Sequence, residues 1–341
     1  MHVKSTPSVY IVILNWNGWR HTVECLESLK RLEYPDCQVV VVDNGSRDDS
    51  VERLSEWAGK HLLTGPGFSA WNGFKTVTVA SYESGSDRAA LRRLHLIRAG
   101  ENLGFAAGCN LGADFALSRG TDYVWLLNND AVVSPETLSE LVSCSARGSF
   151  PVAGSLVRDG ANASEPEFAQ GELPHDLFGL CTKRSAVPGG KKFWRTDWVT
   201  FASVLISAEI INRRIAADGY FLDPRLFMYV EDIDFCFFCR SQGISIGVSA
   251  NGQVRHKTSG SSGGKGSPLV YYYITRNRLF VTRRWLAPPL YALFVAYYVP
   301  SRLVLQLRHI AAGRFSEARA VFDGIYDYFT DRQGQWDKHL R

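Results

Sequence analysis

The chain has 341 residues, 45% of them hydrophobic, so it can bury a large core in one domain or in one domain with an extension. Its seven cysteines are scattered and odd in number, which argues against a disulfide framework and favours a reducing compartment. The polar segment Met1 to Ser8 does not resemble a signal peptide. These features predict a cytoplasmic protein rather than a small secreted scaffold.

The net charge of +4 conceals an uneven distribution of charge along the chain. Residues 235–316 contain eleven Lys and Arg and no Asp or Glu, so the rest of the chain is acidic. A block of this kind indicates an anionic partner, such as phosphate groups or a membrane surface, although a solvated basic face is the alternative. No nucleic-acid-binding motif accompanies the charge, and we expect no nucleic-acid partner.

The first 150 residues alternate between β-branched runs and segments with helical spacing. This alternation predicts a largely parallel α/β sheet covered by helices on both faces. The predicted strands are 9–14, 38–42, 94–98 and 124–127, the predicted helices are 19–32, 48–57 and 105–117, and Pro135 opens a further helix.

The remaining segments alternate less regularly between predicted strand and helix. Residues 62–93 predict a peripheral insertion with an edge strand at 75–79, and 159–192 predicts a loop rich in Gly, Pro and Ser. A strand at 199–207 and helices at 208–217 and 235–242 come next, then a Gly/Ser hinge at 259–264 and a helical, aromatic and basic region beyond Pro268.

Residues 286–301 carry no charge and are bounded by Arg283, Arg284 and Arg302. The segment is short for a membrane span, which needs about 20 apolar residues, and it contains three prolines. An interfacial helix on anionic lipid is one interpretation. A helix packed on the main domain or on a second subunit is the other.

Asp130 ends the apolar run Tyr123 to Leu127, after Asn128 and Asn129. Ligands of open α/β sheets bind at the carboxyl ends of the strands, so this carboxylate is a candidate ligand of a hard cation. Helix capping is the alternative, although Ser134 competes for that role. His256, between Arg255 and Lys257, is a candidate for contact with the metal or with a diphosphate, and a histidine ligand would favour Mn²⁺ without excluding Mg²⁺.

A second acidic cluster consists of Glu231, Asp232 and Asp234 and follows an apolar stretch. One acid at a helix N-terminus is explained by the helix dipole, and we assign that capping or positioning role to Asp234. A carboxylate beside an apolar wall can be tuned as a general base, which makes Glu231 and Asp232 the candidate catalytic residues.

Further polar residues follow other predicted strands, at Asp43-Asn44-Gly45-Ser46 and at Asn102. They are candidates to bind a base and ribose, and turn formation is the alternative. The Cys236-x-x-Cys239 pair lies among phenylalanines and predicts core packing rather than zinc. Dinucleotide-binding, P-loop and nucleophile-elbow motifs are absent from the sequence.

In order and spacing these segments resemble the family 2 glycosyltransferases, especially their rhamnosyltransferase-like branch. The resemblance covers roughly residues 8 to 285 and is carried by Ile13-Leu14-Asn15-Trp16-Asn17-Gly18, Val42-Asp43-Asn44-Gly45-Ser46, Glu101-Asn102-Leu103-Gly104-Phe105-Ala106, Leu127-Asn128-Asn129-Asp130, Phe227-Met228-Tyr229-Val230-Glu231-Asp232-Ile233-Asp234, Arg255-His256-Lys257 and Tyr273 with Arg276-Asn277-Arg278.

The resemblance implies a GT-A fold and an inverting transfer of a sugar from a nucleoside diphosphate. It assigns Asp130 and His256 to a Mg²⁺ or Mn²⁺ ion and Asp232 to the acceptor base, and Asn128 stands where many members have Asp. The nucleotide-binding set is Asn15, Asp43, Asn44, Ser46, Asn102, Gly104, Asn128, Asn129 and Lys257.

The implied organisation is a glycosyltransferase domain at 1–267 and a C-terminal region at 268–341 that contacts the membrane or a second subunit. Within the domain, 1–150 binds the nucleotide sugar and 151–267 the acceptor. The expected donor is dTDP-rhamnose or a UDP-hexose, and the expected acceptor is a glycan or lipid-linked saccharide at the inner face of the cytoplasmic membrane. A nucleotidyltransferase and a catalytically silent membrane scaffold are the alternatives.

Overall fold

The structure, a computed structural model, describes residues 6–64, 69–71, 74–85, 91–159, 166–173, 182–257 and 266–336. Its strands are β1 (Val9–Asn15), β2 (Cys37–Asp43), β3 (Leu63–Thr64), β4 (Ser69–Trp71), β5 (Phe74–Glu83), β6 (Arg93–Arg98), β7 (Tyr123–Asn128), β8 (Ala131–Val133), β9 (Val152–Asp159), β10 (Pro166–Phe168), β11 (Gln170–Glu172), β12 (Thr182–Arg184), β13 (Phe193–Thr196), β14 (Ser203–Ser207) and β15 (Ile246–His256). Its helices are α1 (Trp19–Leu29), α2 (Ser50–His61), α3 (Gly104–Ser118), α4 (Thr137–Gly148), α5 (Ala208–Asp218), α6 (Glu231–Ser241), α7 (Pro268–Trp285), α8 (Pro288–Ala311) and α9 (Phe315–Phe329).

Four parallel strands form the centre of the main sheet, in the order β7-β1-β2-β6. Their apolar residues are buried on both faces, as expected of a sheet covered by helices. The register places Asn15 beside Asp43 and Leu14 beside Asn128, at the carboxyl ends of the strands. The predicted parallel sheet is therefore confirmed here, and it brings the predicted polar residues to one edge.

Antiparallel pairing extends the sheet on both sides of this centre, so the sheet as a whole is mixed. On one side β5 pairs with β6 and also with β3 and β4, so the predicted strand at 75–79 is confirmed but it is not at the edge of the sheet. On the other side β14 pairs antiparallel with β7 and β9, and β15 then pairs with β9, β8 and β13.

Several element boundaries differ from the sequence predictions. Pro135 lies in a turn and its carbonyl accepts a hydrogen bond from Glu33, so the helix begins at Thr137 instead. The strand predicted from residue 199 begins at Ser203. The predicted loop 159–192 contains the short strands β10, β11, β12 within its described residues, and β8 was not predicted because three residues give little periodicity. The predicted hinge 259–264 lies outside the described residues.

The C-terminal region is helical, as predicted. The Tyr272 hydroxyl on α7 donates to Asp327 on α9, and the Trp336 indole packs on the Tyr272 ring. Helix α8 is longer than the predicted segment, since it continues through Pro300 to Ala311. Among the described helices, α8 alone is long and apolar enough to cross a membrane, by length and composition.

Candidate active site

A cleft of about 510 Å³ opens at the carboxyl edge of the central strands. Its walls come from both the parallel half of the sheet and the C-terminal half of the chain. The lining residues are Leu14, Trp16, Asn44, Asn102, Gly104, Phe105, Asn128, Asn129, Asp130, Thr200, Phe201, Ala202, Met228, Tyr229, Val230, Glu231, Asp232, His256, Val270 and Ile274. Asp130, two acids of the second cluster (Glu231 and Asp232) and the predicted histidine therefore share one cleft.

Asp43 lies beneath the cleft in a closed hydrogen-bond network. Its Oδ2 accepts from Asn15 Nδ2 at 2.8 Å and its Oδ1 from the Ser46 backbone N–H at 3.1 Å. Asn15 Oδ1 in turn accepts from the Thr22 hydroxyl at 2.7 Å. Asp43 and Asn15 are buried and do not line the cleft, so these contacts shape the loop after β2. Their role in nucleotide binding stays a prediction.

Asn44 and Asn102 tie two loops of the cleft together. Asn44 Nδ2 donates to Asn102 Oδ1 at 3.0 Å and to the Gly104 carbonyl at 3.1 Å, while Asn44 Oδ1 accepts from the Leu103 N–H at 3.1 Å. Asn102 Oδ1 also accepts from the Gly104 N–H at 2.9 Å. Their amides are thus largely committed to the protein, although both side chains border the cleft.

His256 faces Asp130 on the cleft wall. Its Nε2 lies 3.0 Å from Asp130 Oδ1 and 3.1 Å from Asn128 Nδ2. The pairing follows from topology, because β8 pairs with the end of β15 and brings Ala131 opposite His256. The structure thus brings together two residues that are 126 positions apart in the sequence.

A third acid, Glu167 on β10, lies behind the histidine, with its Oε2 3.7 Å from His256 Nδ1. Burial alone would lower the pKa of His256, but hydrogen bonds and charge from Asp130 and Glu167 raise it to about 9. The hydrogen bond with His256 and the charge of Lys183 lower the pKa of Glu167 to about 2 despite its burial. Burial raises the pKa of Asp130, but His256 outweighs it, and the net shift is downward.

The metal-ligating side chains on this wall of the cleft suit a divalent cation whose remaining ligands come from a substrate. Asp130 and His256 offer one carboxylate and one imidazole, which fit Mn²⁺ or Mg²⁺ bound together with phosphate oxygens. Glu167 orients the imidazole from behind, as carboxylates commonly do at metal-bound histidines. Within the described residues no cluster of three or more His, Cys, Asp or Glu forms a complete metal cage.

The two other acids of the cleft, Glu231 and Asp232, follow a backbone segment of unusual conformation. Phe227, Tyr229 and Val230 have φ values of 64°, 66° and 75°. Residues other than glycine rarely adopt this left-handed region, and a β-branched valine there is a genuine outlier. Each such residue costs about 1–3 kcal/mol of conformational free energy. We call residues 226–232 the acid loop.

Two side chains of α7 hold the acid loop by its carbonyl groups. Asn277 Nδ2 is placed 2.8 to 2.9 Å from the carbonyl oxygens of Leu226, Met228 and Tyr229. Arg276 Nη2 donates to the Leu226 carbonyl at 3.0 Å. Both side chains are fully buried, so the strained conformation is held by hydrogen bonds from the protein interior.

The loop presents Glu231 and Asp232 to the cleft at the first turn of α6. Glu231 is 7% exposed and its Oε2 has no hydrogen-bond partner among the described residues. Asp232 is partly exposed, and its Oδ1 accepts from the Ile233 N–H at 2.8 Å. Burial raises the pKa of both carboxyls, and the neighbouring Asp232 raises that of Glu231 further. A raised pKa strengthens an ionised carboxylate as a base.

Asp234 has a different environment. Its carboxylate forms a buried ion pair with Arg214 and accepts from the Trp285 indole N–H at 2.7 Å. The carboxylate does not line the cleft. The structure therefore gives Asp234 the positioning role that the sequence predicted.

The other predicted residues divide between the cleft and its surroundings. Asn129 and Gly104 border the cleft. Ser46 supports the Asp43 loop, and Lys257 forms an ion pair with Glu24 at 2.6 Å instead of facing the cleft. Cys236 and Cys239 are buried, which confirms core packing.

Sequence reasoning missed several residues at the site. Trp16, Phe105 and Met228 line the cleft and lie inside motifs that were recognised only for their polar members. Glu167 was missed because its segment reads as a loop, and Asn277 was noted without a role. Hydrogen bonds from side chains to backbone carbonyls leave no pattern in the sequence.

Comparison with known proteins shows which families and folds this chain resembles. The family model for glycosyl transferase family 2 matches residues 10–68 and 79–172. The low-salt glycan biosynthesis hexosyltransferase Agl10 of Haloferax volcanii is 27% identical over 157 residues, which are 45% of this chain and 48% of Agl10. The dTDP-rhamnosyl transferase RfbF of Shigella flexneri is 21% identical over 288 residues, 81% of this chain and 80% of RfbF. This chain thus matches about half the length of Agl10.

Two solved structures share the fold over nearly the whole chain. The mannosyltransferase PcManGT from Pyrobaculum calidifontis, in complex with GDP-Man and Mn²⁺, superimposes with a TM-score of 0.55 and 14% identity, over 96% of this chain and 89% of that one. GalNAc-T7 with UDP, GalNAc and Mn²⁺ gives a TM-score of 0.60 and 16% identity, over 97% of this chain and 59% of that one. By these comparisons, residues 10–68 and 79–172 match glycosyl transferase family 2 in sequence, and the chain has a GT-A-type fold.

Proposed function

We propose that this protein is a metal-dependent inverting glycosyltransferase that transfers a hexosyl or rhamnosyl group from a nucleoside diphosphate to an acceptor hydroxyl. The observation that carries the proposal is the shared cleft, which holds Glu231 and Asp232 together with Asp130 and His256. A base for the acceptor and ligands for a diphosphate-bound cation are the two groups that this chemistry needs.

Asp232 acts as the base, because it is the more exposed of the two raised-pKa carboxylates. It takes the proton of the acceptor hydroxyl as the oxygen forms its bond to the anomeric carbon. The bond from that carbon to the diphosphate oxygen breaks, and its electron pair leaves with the nucleoside diphosphate. Attack from the side opposite the leaving group inverts the anomeric configuration. Glu231 adds a second carboxylate beside the reacting groups.

Asp130 and His256 would hold the Mg²⁺ or Mn²⁺ ion, which supplies Lewis-acid stabilisation of the diphosphate when bound. The structures of PcManGT with GDP-Man and Mn²⁺ and of GalNAc-T7 with UDP, GalNAc and Mn²⁺ are consistent with a divalent cation. Asn128 restricts the imidazole through its amide, 3.1 Å from His256 Nε2. The neutral amide adds no negative charge that would oppose the diphosphate.

For the donor sugar we propose rhamnose from dTDP-rhamnose, with a UDP-hexose as the alternative. The support is the similarity to RfbF over most of both chains. In this assignment Asn44 and Asn102 border the nucleotide side of the cleft, and Asn15, Asp43 and Ser46 support it from beneath. Gly104, Asn128 and Asn129 complete the proposed nucleotide-binding set, and Lys257 is left out of it because it pairs with Glu24 outside the cleft.

For the acceptor we propose a glycan or lipid-linked saccharide at the inner face of the cytoplasmic membrane. Agl10 is named for glycan biosynthesis, and the acid-free segment 235–316 suits a surface of anionic lipid. In this assignment 1–150 binds the donor, 151–267 the acceptor, and 268–341 forms the region that contacts the membrane or a second copy in a homodimer.

A donor screen tests the proposed function. Purified protein is incubated with Mg²⁺ or Mn²⁺ and with dTDP-rhamnose or one of several UDP-sugars, and release of free nucleoside diphosphate is measured alongside donor binding. Slow metal-dependent release from one donor is the expected result. Pyrophosphate release would instead identify a nucleotidyltransferase. A protein that binds none of the donors in the presence of metal would be a scaffold.

A further inference from the structure

Exposed large apolar side chains are more numerous on α8 and α9 than elsewhere in the described residues. Of the twelve exposed large hydrophobic residues there, ten lie between Leu293 and Phe329. Leu307 is 64% exposed, Phe315 68% and Phe329 62%. A concentration of exposed apolar side chains in one part of a protein indicates an interaction site with a protein or a membrane.

These side chains fall on one side of each helix. Their spacing follows the helical repeat, because residues three, four or seven apart share a face. We define the α8–α9 apolar face by Leu293, Tyr297, Val304 and Leu307 on α8 and by Phe315, Phe322, Tyr326 and Phe329 on α9. The opposite side of α8 carries the buried Phe294 and Tyr298, which pack with Leu279 of α7 and Tyr328 of α9.

Positive charges predominate around this face. Arg308 and Arg314 are exposed, Arg319 is exposed and forms an ion pair with Asp323 at 3.6 Å, and the exposed acid Asp331 follows α9. The acids of α9 turn inward: Asp327 accepts from the Tyr272 hydroxyl and Asp323 from the Trp336 indole, and both are buried, while Glu317 is partly exposed. Cations at the border of an apolar face match the negative surface of anionic lipid.

We propose that the α8–α9 apolar face docks onto an anionic bilayer, with α8 lying in the plane of the interface. A spanning orientation conflicts with the packing of α8, since its buried side is covered by α7 and α9 within the protein. Pairing of two copies through this face would bring the exposed arginines of both copies together. An anionic bilayer both covers the apolar residues and neutralises those arginines.

This surface also has a consequence for the cleft that rests on the proposed function. Helix α7 packs against α8 and α9 on one side and holds the acid loop through Asn277 on the other. A bilayer bound at the α8–α9 apolar face therefore lies one helix layer from the acids. That placement suits an acceptor whose lipid stays in the membrane while its saccharide reaches Asp232.

Vesicle co-sedimentation of the full chain tests the docking. The probes are vesicles of phosphatidylcholine alone and of phosphatidylcholine with about 30% phosphatidylglycerol, at low and high salt. The variants are Leu307→Glu and Phe329→Glu. Leu63→Glu is the matched control, because Leu63 is 66% exposed on β3 at the distant edge of the sheet.

We expect the unmodified chain to bind the anionic vesicles and to be released by high salt. Leu307→Glu and Phe329→Glu weaken binding about tenfold, because each places a negative charge at the lipid interface. Leu63→Glu binds normally. Equal loss in all three variants, or no binding by the unmodified chain, overturns the proposal.

Two parallel measurements separate the remaining explanations. Gel filtration without vesicles reports the oligomeric state, and a dimer that dissociates in Leu307→Glu assigns the face to a second copy instead. Donor hydrolysis without vesicles should be equal in all variants. If neither the unmodified chain nor any variant hydrolyses the donor, the proposed function is contradicted. The vesicle co-sedimentation result still tests the docking independently.

Discussion

The two sides of the cleft are polar in different ways. On the side formed by β1 and β2, Asn15, Asp43, Asn44 and Asn102 bind one another and the backbone. On the acid loop, Glu231 has an unpartnered carboxylate oxygen among the described residues, and three preceding residues have left-handed backbone. One side satisfies its polar groups within the protein, and the other leaves them facing the cleft.

This difference separates residues that build the site from residues that react in it. Buried polar groups are normally hydrogen-bonded, so an unpartnered buried carboxylate has to be stabilised by the rest of the fold. Here Asn277 and Arg276 supply that support at the backbone of the acid loop. Strained backbone at functional sites is maintained in the same way, by surrounding contacts that exclude the relaxed backbone conformations.

The largest expected effect comes from Asp232→Asn. The amide keeps the size of the side chain but cannot take a proton, so the kcat of transfer should fall by about 10³-fold or more. The measurement is product formation with donor and acceptor both saturating. Asp331→Asn, at an exposed acid after α9, is the matched control and should retain full activity. A loss below tenfold would assign the base to another group, with Glu231 the first candidate.

Asn277→Ala tests whether the acid loop depends on its supporting amide. The alanine removes the Asn277 side-chain amide, so three carbonyl oxygens of the acid loop lose its N–H groups as partners. The free energy of unfolding should fall by about 2–4 kcal/mol. We also expect kcat to fall at least about tenfold with little change in the KM for the donor, because misplacement of the base affects the reaction step.

Asn110→Ala is the matched control for that variant. Asn110 on α3 exchanges hydrogen bonds with the backbone of Leu222 at 2.8 and 2.9 Å and does not line the cleft. It should lower stability with an unchanged kcat. Equal loss of kcat in the two variants would mean that Asn277 acts only through stability.

Gly104→Ala tests the contact between the two sides of the cleft. Gly104 has a φ of +83°, and a Cβ there would lie 2.5 Å from the carbonyl oxygen of Phe227 in the acid loop. The variant should lose about 2–3 kcal/mol of unfolding free energy, part from backbone strain and part from the clash.

Gly120→Ala separates those two contributions. Its φ is +72°, but no atom lies within 4 Å of the added Cβ, so it loses only the conformational part, about 1 kcal/mol. The measurement is urea-induced unfolding of both variants. Equal losses would show that the acid loop moves freely away from Gly104.

Glu231→Gln should give a stabilisation that depends on pH. Because the folded pKa of Glu231 is raised above its ordinary value of 4.5, the native state loses stability as pH rises from that value through the folded pKa. The neutral glutamine lacks this loss, so its advantage over Glu231 in unfolding free energy should grow between pH 5 and about 8. Exposed Glu52→Gln is the control and should show no such trend. A constant difference would contradict the burial of a charged Glu231.

Much of the fold was predictable because apolar runs fix strands that are buried on both faces. The runs ending at Asn15, Asp43 and Asn128 located the central strands to within one or two residues. Because ligands bind where the strands end, the position of Asp130 just after β7 predicted that it would lie in the cleft. The antiparallel flanks were harder, since β8, β10 and β12 are each three residues long and show no period.

The organisation of the site was only partly predictable. Sequence order does not show that β8 would place Ala131 opposite His256, or that Glu167 would lie behind the imidazole. The commitment of Asp43 to Asn15 and Ser46 also needed the structure. Residue type identified the candidates, and three-dimensional contacts divided them between supporting and reactive roles.

Donor titration of the Asp232→Asn variant by calorimetry, in the presence of Mn²⁺, is the most direct test of the central claim that the acid loop supplies the base. If Asp232 acts on the acceptor hydroxyl, the variant binds the donor with a Kd within about threefold of the unmodified chain although transfer is lost. A loss of donor affinity that matches the loss of transfer would make Asp232 a donor ligand and contradict the claim.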